Sequence, residues 1–136
     1  MEGSFMKIQE GLYYSVEHEW LRVEDDKAYV GITDFAQQHL GDIVFVELPE
    51  LDEAVEAGGQ IGVIESVKAV SSMFSPVSGT IIEVNEELEN APELLNEDPY
   101  GQHIAVIKMN NTADLDGLLN ETQYSELCEK EEQGGE

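Results

Sequence analysis

Gly62-Val63-Ile64-Glu65-Ser66-Val67-Lys68-Ala69-Val70-Ser71 is the stretch on which the fold turns. Two β-prone runs, residues 60–65 and 70–74, flank a break at Val67-Lys68 that holds no glycine, asparagine or proline. The segment therefore predicts a hairpin whose tip lacks easy turn chemistry. A turn needing φ > 0 is strained at β-branched Val67, so a type I turn with negative φ throughout is expected in place of the primed turns usual in hairpins. The tip projects a lysine, one of only five in the chain. A long amine stem on a rigid hairpin can be amidated and then swing a cargo between separate active sites. An ordinary solvated turn lysine is the plainer alternative. With a pKa of about 10.4 the free amine is a poor nucleophile at neutral pH, so amidation requires a separate enzyme that presents an activated acyl group.

Outward from the hairpin, Pro76-Val77-Ser78-Gly79 is a turn leading into a further strand over residues 80–84. Upstream, residues 20–23 and 28–32 form a strand pair around the polar turn Glu24-Asp25-Asp26-Lys27. Thr33-Asp34 offers caps, Gln37 follows three residues after Asp34, and Gly41 supplies a stop, which predicts a short helix over residues 35–40. Residues 43–48 are nearly all apolar and end at Pro49, which predicts a central strand with both faces covered. Residues 51–59 read as an acidic loop. Leu94-Leu95 marks a single helical turn inside the acidic stretch 86–98, before the turn Asp98-Pro99-Tyr100-Gly101 and a last strand over 104–109. Leu115, Leu118, Leu119, Tyr124 and Leu127 recur at helical spacing, interrupted at Gly117 and Asn120, so the C-terminus is one broken helix or two short ones.

Short strands, tight turns and peripheral helices define a mainly β chain, a sandwich or flattened barrel with a C-terminal helical segment. At 136 residues and 41% apolar content there is one core. Residues 1–11 read as an N-terminal extension, of which the stretch before Met6 resembles a start-site or expression remnant; residues 12–128 form the domain, and residues 129–136 an acidic disordered tail.

Thirty acidic against six basic residues give a formal charge of -24, which repels phosphate backbones and anionic headgroups; nucleic-acid and membrane roles are disfavoured. The same field speeds encounter with a partner bearing a basic face, or simply maintains solubility. The single Cys128 permits no intrachain disulfide and no cysteine metal cluster, and points to a reducing compartment. No secretory signal and no uncharged run near ~18 residues is present. A soluble, monomeric, cytoplasmic protein is expected, or one of the mitochondrial matrix if the source is eukaryotic. His18, His39 and His103 make no recognisable metal or nucleophile motif with Cys128, so no catalytic residue is assigned and an enzyme is disfavoured.

Glu65-Ser66-Val67-Lys68-Ala69 and Ser75-Pro76-Val77-Ser78-Gly79, with Gly31-Ile32-Thr33-Asp34 and Gly41-Asp42-Ile43-Val44-Phe45-Val46-Glu47-Leu48-Pro49, resemble the glycine cleavage H protein family. His18-Glu19-Trp20 and Asn96-Glu97-Asp98-Pro99-Tyr100 extend the resemblance, which runs from about residue 12 to 127 with matching spacing. It implies a lipoyl/biotinyl-type β-sandwich, a flattened-barrel hybrid, with lipoate on Lys68. It also implies a shuttle. Glycine decarboxylase loads the arm with an aminomethyl group, aminomethyltransferase unloads it, and dihydrolipoamide dehydrogenase reoxidises it, after a lipoate ligase or octanoyl transferase has installed the acyl group. The alternative duty in the same family is an octanoyl or lipoyl relay in protein lipoylation. A biotin carrier usually flanks its lysine with methionines, whereas Val67 and Ala69 stand here.

In this family the loaded arm folds into a cleft on its own carrier, which keeps water from the cargo. By motif position Glu19 could pair with the cargo amine, Ile32 and His39 could line the cleft, and Ser72 stands where the family often has an acid. The plainer readings are an exposed strand residue for Glu19, a core residue for Ile32 and a helix-terminal group for His39. Glu17 replaces a small polar residue, and His103-Ile104 falls near a usual glycine-tryptophan pair. A Glu17 carboxylate could make up the charge missing at Ser72.

Overall fold

The computed structural model describes residues 7–134. Two antiparallel sheets face each other without closing into a barrel. The larger sheet has six strands in the order β1-β2-β3-β9-β8-β5: β1 (Tyr13–Tyr14), β2 (Glu19–Glu24), β3 (Lys27–Ile32), β5 (Ala54–Val55), β8 (Gly79–Val84) and β9 (Ala105–Met109). The smaller has three strands in the order β4-β6-β7: β4 (Ile43–Glu47), β6 (Gln60–Ser66) and β7 (Val70–Phe74).

The predicted hairpin turn between β2 and β3 is present, with Asp25 in the left-handed region (φ 56). Where the sequence predicts one core there are two hydrophobic clusters, and strand alternation in β2 serves both, because its successive side chains point to opposite faces of the sheet. Leu21 pairs with Val30 and faces the space between the sheets, where Ile43, Val46, Ile64, Ile81 and Ile107 meet it. Trp20 pairs with Gly31 and faces outward into a second cluster with Tyr14, Phe35, Tyr100, Tyr124 and Cys128. Only a glycine fits opposite the indole, since a Cβ on Gly31 would come within 2.5 Å of the Trp20 ring.

Helix α1 (Asp34–Leu40) begins and ends where the sequence predicts: the Thr33 side chain accepts the Ala36 amide, and Gly41 closes the helix at φ 78. The acidic stretch 86–98 forms two helical turns in place of the one expected, α2 (Glu87–Asn90) and α3 (Leu94–Glu97), because Leu88 as well as Leu95 is fully buried over the core. The C-terminus is the two-piece alternative, a 3-10 turn over Thr112–Gly117 followed by α4 (Glu121–Gly134).

Two expectations are corrected, and a tether is added at the N-terminus. β4 is an edge strand, not a central one, and Val44 and Phe45 are exposed. A bulge between Ile43 and Phe45 accompanies this exposure, and only Ile43 and Val46 reach the core. The tail expected to be disordered from residue 129 is helical as far as Gly134, held by Glu131, which meets His18 Nε2 at 2.8 Å; residues 135–136 lie outside the described residues. The N-terminal extension is tied to the fold from Lys7 onward: its amide donates to Asp34 (2.9 Å) and its carbonyl accepts the Tyr100 hydroxyl (2.7 Å). The stretch before Met6 lies outside the described residues.

Candidate functional site: a tethered hairpin lysine

Strands β6 and β7 pair from Gln60–Phe74 to Glu65–Val70, leaving Ser66-Val67-Lys68-Ala69 as the tip. Val67 and Lys68 keep negative φ, as the β-branched residue requires. The turn is closed by a side chain. Ser66 Oγ accepts the amides of Lys68 (3.2 Å) and Ala69 (3.0 Å), while the Ser66 amide donates to the Ala69 carbonyl (2.8 Å). This serine closure takes the place of the carbonyl bond of an ordinary type I turn, and explains how a tip without glycine or asparagine is made.

The tip is also tethered from outside the hairpin. The Val67 amide donates to the Asp42 carbonyl at 3.0 Å. The segment carrying Asp42 is in turn clamped by Asn96, whose Nδ2 donates to the Gly41 carbonyl and to Gln37 Oε1, both at 2.9 Å, and whose Oδ1 accepts the Ile43 amide at 2.9 Å. Lys68 thus extends from a backbone held on both sides, exposed to solvent. Its aliphatic stem lies across Gly41, where a Cβ would sit 3.6 Å from Lys68 Cε. With φ 78 and ψ -155, Gly41 occupies a conformation that other residues avoid, and its missing side chain leaves a shallow groove along the stem.

Glu19 is not the exposed strand residue of the plainer reading: it is 3% exposed. It pairs with Ile32 across β2 and β3, on the face that looks toward the smaller sheet. Its Oε1 accepts the Ser15 hydroxyl (2.7 Å) and its Oε2 accepts the Phe74 amide at the far end of β7 (3.0 Å), so the carboxyl bridges the two sheets. Burial raises its pKa from the ordinary 4.5 to about 7, against the Phe74 and Ser15 hydrogen bonds that lower it; the nearby Glu17 carboxylate adds to the rise. A carboxyl so poised exchanges a proton near neutral pH.

Ile32 is buried in the main core beside Glu19. His39 lies on the last turn of α1, two residues before Gly41, with Nδ1 at 3.0 Å from the Phe35 carbonyl and Nε2 at 3.7 Å from Glu132. Ser72 is exposed on the outer face of the smaller sheet, paired with Val63. The structure therefore joins Glu19, Ile32 and the end of β7, turns His39 toward Phe35 and Glu132 on the last turn of α1, and places Ser72 on the outer surface. His103 stands edge-on to Tyr29 at 5.3 Å and 3.4 Å from Glu83, while Ile104 belongs to the core. Asn96 and Asp42 are supporting residues that the sequence reading left without a role, and Gly41 had only that of a helix stop, although all three fall in the motifs it singled out. Ser15 had no signal at all.

Two facing antiparallel sheets that hold one lysine at a tethered tip, with a glycine groove under its stem, define a small lysine-presenting β-domain. The chain belongs to the glycine cleavage H-protein family, whose model matches residues 12–131. The glycine cleavage system H protein of Syntrophomonas wolfei is 63% identical over 131 residues, covering 96% of this chain and 100% of that protein. That of Alkaliphilus oremlandii is 56% identical, covering 93% and 99%. The crystal structure of a glycine cleavage system H protein from Mycobacterium marinum superposes with a TM-score of 0.81 at 34% identity, over 95% of this chain and 100% of that one.

Proposed function

We propose that this protein is the lipoyl carrier of a glycine cleavage system, with lipoate joined as an amide to Lys68. The observation that carries the reading is the presentation of Lys68: a solvent-exposed amine on a tip fixed by Ser66 and Asp42, its stem over Gly41, in a chain of this family. The bound lipoyl group would supply the dithiolane that takes up and gives up the one-carbon unit of glycine. Everything else is the chain's own contribution.

The serine-closed tip holds the backbone still while the stem moves, so the sampled volume is set by the arm and not by the loop. The Gly41 groove provides a resting track. The buried Glu19 carboxyl, with a pKa of about 7, can hold an amine by hydrogen bond or as an ion pair, and the inter-sheet position shields that contact from water. Ile32 supplies apolar wall beside it, and His39 stands two residues before Gly41 in the chain.

The chain is a carrier and not itself a catalyst, and its working partners are glycine decarboxylase, aminomethyltransferase and dihydrolipoamide dehydrogenase, with a lipoate ligase or octanoyl transferase for loading. It works as a monomer in the cytoplasm. Among the described residues no helix is long and apolar enough to cross a membrane.

Intact-mass measurement of the protein from its native host tests the reading. A lipoyl increment that disappears in Lys68→Arg is expected; an unmodified native protein overturns it. Reconstitution with glycine decarboxylase and aminomethyltransferase then establishes the glycine cleavage duty.

A further inference from the structure

The outer face of the smaller sheet carries an apolar surface that nothing in the described chain covers. Val44, Phe45, Val67 and Val70 are 53%, 47%, 69% and 70% exposed. They form one surface because of register. Phe45 pairs with Glu65, and Glu65 pairs with Val70, so these three stand in a row on the same face. One position along, Val46 and Ile64 point the opposite way and are buried. The bulge beside Phe45 leaves Val44 exposed as well, and Val67 lies at the tip next to Lys68. An aromatic ring and three valines at one end of a sheet, with the Glu65 carboxylate between Phe45 and Val70, make an exposed surface of mixed apolar and acidic character in a chain of charge -24.

We propose that this face is the docking surface for the enzyme that acylates Lys68, and that the partner meets it with an apolar depression flanked by lysine and arginine side chains. The inference rests on the lipoyl-carrier reading and identifies which partner uses this surface. Acylation takes place at Nζ, roughly 6 Å from the Lys68 Cα, so the attaching enzyme must press against the backbone that surrounds the lysine. Enzymes that work on the far end of an extended lipoyl-lysine arm, roughly 14 Å long, do not have to. The surface immediately contiguous with Lys68 is therefore brought closest to the enzyme during attachment. Its acids set the sign of the partner: Glu65 stands between Phe45 and Val70, and Asp42 and Glu47 flank Phe45 along the chain, so basic groups in and around the partner's depression complement it. Phe45 is the residue type that anchors such contacts. The tether of the tip means that little loop ordering has to accompany docking.

The test uses the full apo chain with a purified lipoate ligase, lipoate and ATP, following attachment by intact mass. Phe45→Ser and Val70→Asp are made singly and together, with thermal unfolding as the check that these exposed positions leave the fold intact. The double variant is expected to lose at least tenfold in kcat/KM for attachment, mainly through KM. Once loaded by prolonged incubation, it is expected to serve glycine decarboxylase within about twofold of wild type. Attachment to the wild type is expected to weaken as salt is raised. Wild-type attachment efficiency in the double variant overturns the docking surface, as does an equal loss with the decarboxylase, which would make the face a general one. Failure of the wild-type chain itself to take the acyl group at Lys68 overturns the carrier reading and this inference with it.

Discussion

The Val67 amide donates to the Asp42 carbonyl at 3.0 Å, and this one bond joins the lysine-bearing hairpin to the segment between α1 and β4. Two residues 25 positions apart in the chain thereby share a rigid unit, whose other half is the Asn96 clamp on Gly41 and Ile43.

Replacing the clamp is expected to loosen the tip. Asn96→Ala removes the partners of the Ile43 amide and the Gly41 carbonyl, at a cost of roughly 2 kcal/mol in denaturant unfolding. Hydrogen exchange at the Val67 amide should accelerate more than at Ile64 in the middle of β6. Asn96→Asp should rescue little, since a carboxylate oxygen would face the Gly41 carbonyl in place of a donor.

The buried carboxyl predicts an unusual pH dependence. Glu19 has its pKa raised from 4.5 to about 7 by folding, so between those values the native state holds the extra proton. Its contribution to stability is fully present below about pH 4.5 and is lost as pH rises through 7, an effect on the order of 3 kcal/mol. Glu19→Gln keeps an acceptor for the Phe74 amide and removes the titration. Chemical denaturation between pH 5 and 8 should show a decline in the wild type that is largely absent from the variant; parallel curves would refute the assignment.

Glu17 acts on the same carboxyl through charge. Glu17→Ala should lower the Glu19 pKa, because a like charge that opposes ionisation is removed. Side-chain carboxyl shifts followed by NMR titration read this directly, and in the loaded carrier the lifetime of the aminomethyl cargo reports whether the change reaches the arm. A Glu19 midpoint that stays put would show that burial alone sets it.

Helix α4 is fastened by the Tyr124 hydroxyl, which lies 2.6 Å from Thr33 Oγ1 and 2.7 Å from His18 Nδ1 while its ring stacks on Tyr14 at 4.5 Å. Tyr124→Phe keeps the stack and loses both bonds, at about 1–3 kcal/mol. Cys128, whose thiol burial pushes up to about 11, serves as the reporter. Native wild-type protein should resist thiol labelling at pH 7, and the variant should label faster through local opening of α4. Equal labelling rates would mean that the helix is held by apolar packing alone.

Local chemistry determined much of this molecule. The caps at Thr33 and Gly41, the turn at Asp25-Asp26 and the glycine-free tip around Val67 each depend on neighbours in sequence, so the strands and α1 were legible there, and the family motifs singled out Lys68. Only the tertiary structure decided the rest. An apolar run such as Ile43–Glu47 reports that its side chains avoid water but not what covers them, and β4 proved to be an edge with Phe45 outward. The acidic tail read as too polar to fold, yet residues 129–134 continue α4, with Glu131 paired to His18. Glu19 read either as a partner for the cargo amine or as an exposed strand position, because nothing in its neighbourhood announces Phe74 across the sandwich; burial there raises its pKa against the hydrogen bond from Phe74. The lysine was written in the sequence. The clamp that holds it, the groove beneath it and the apolar face beside it arise from residues that folding alone brings together.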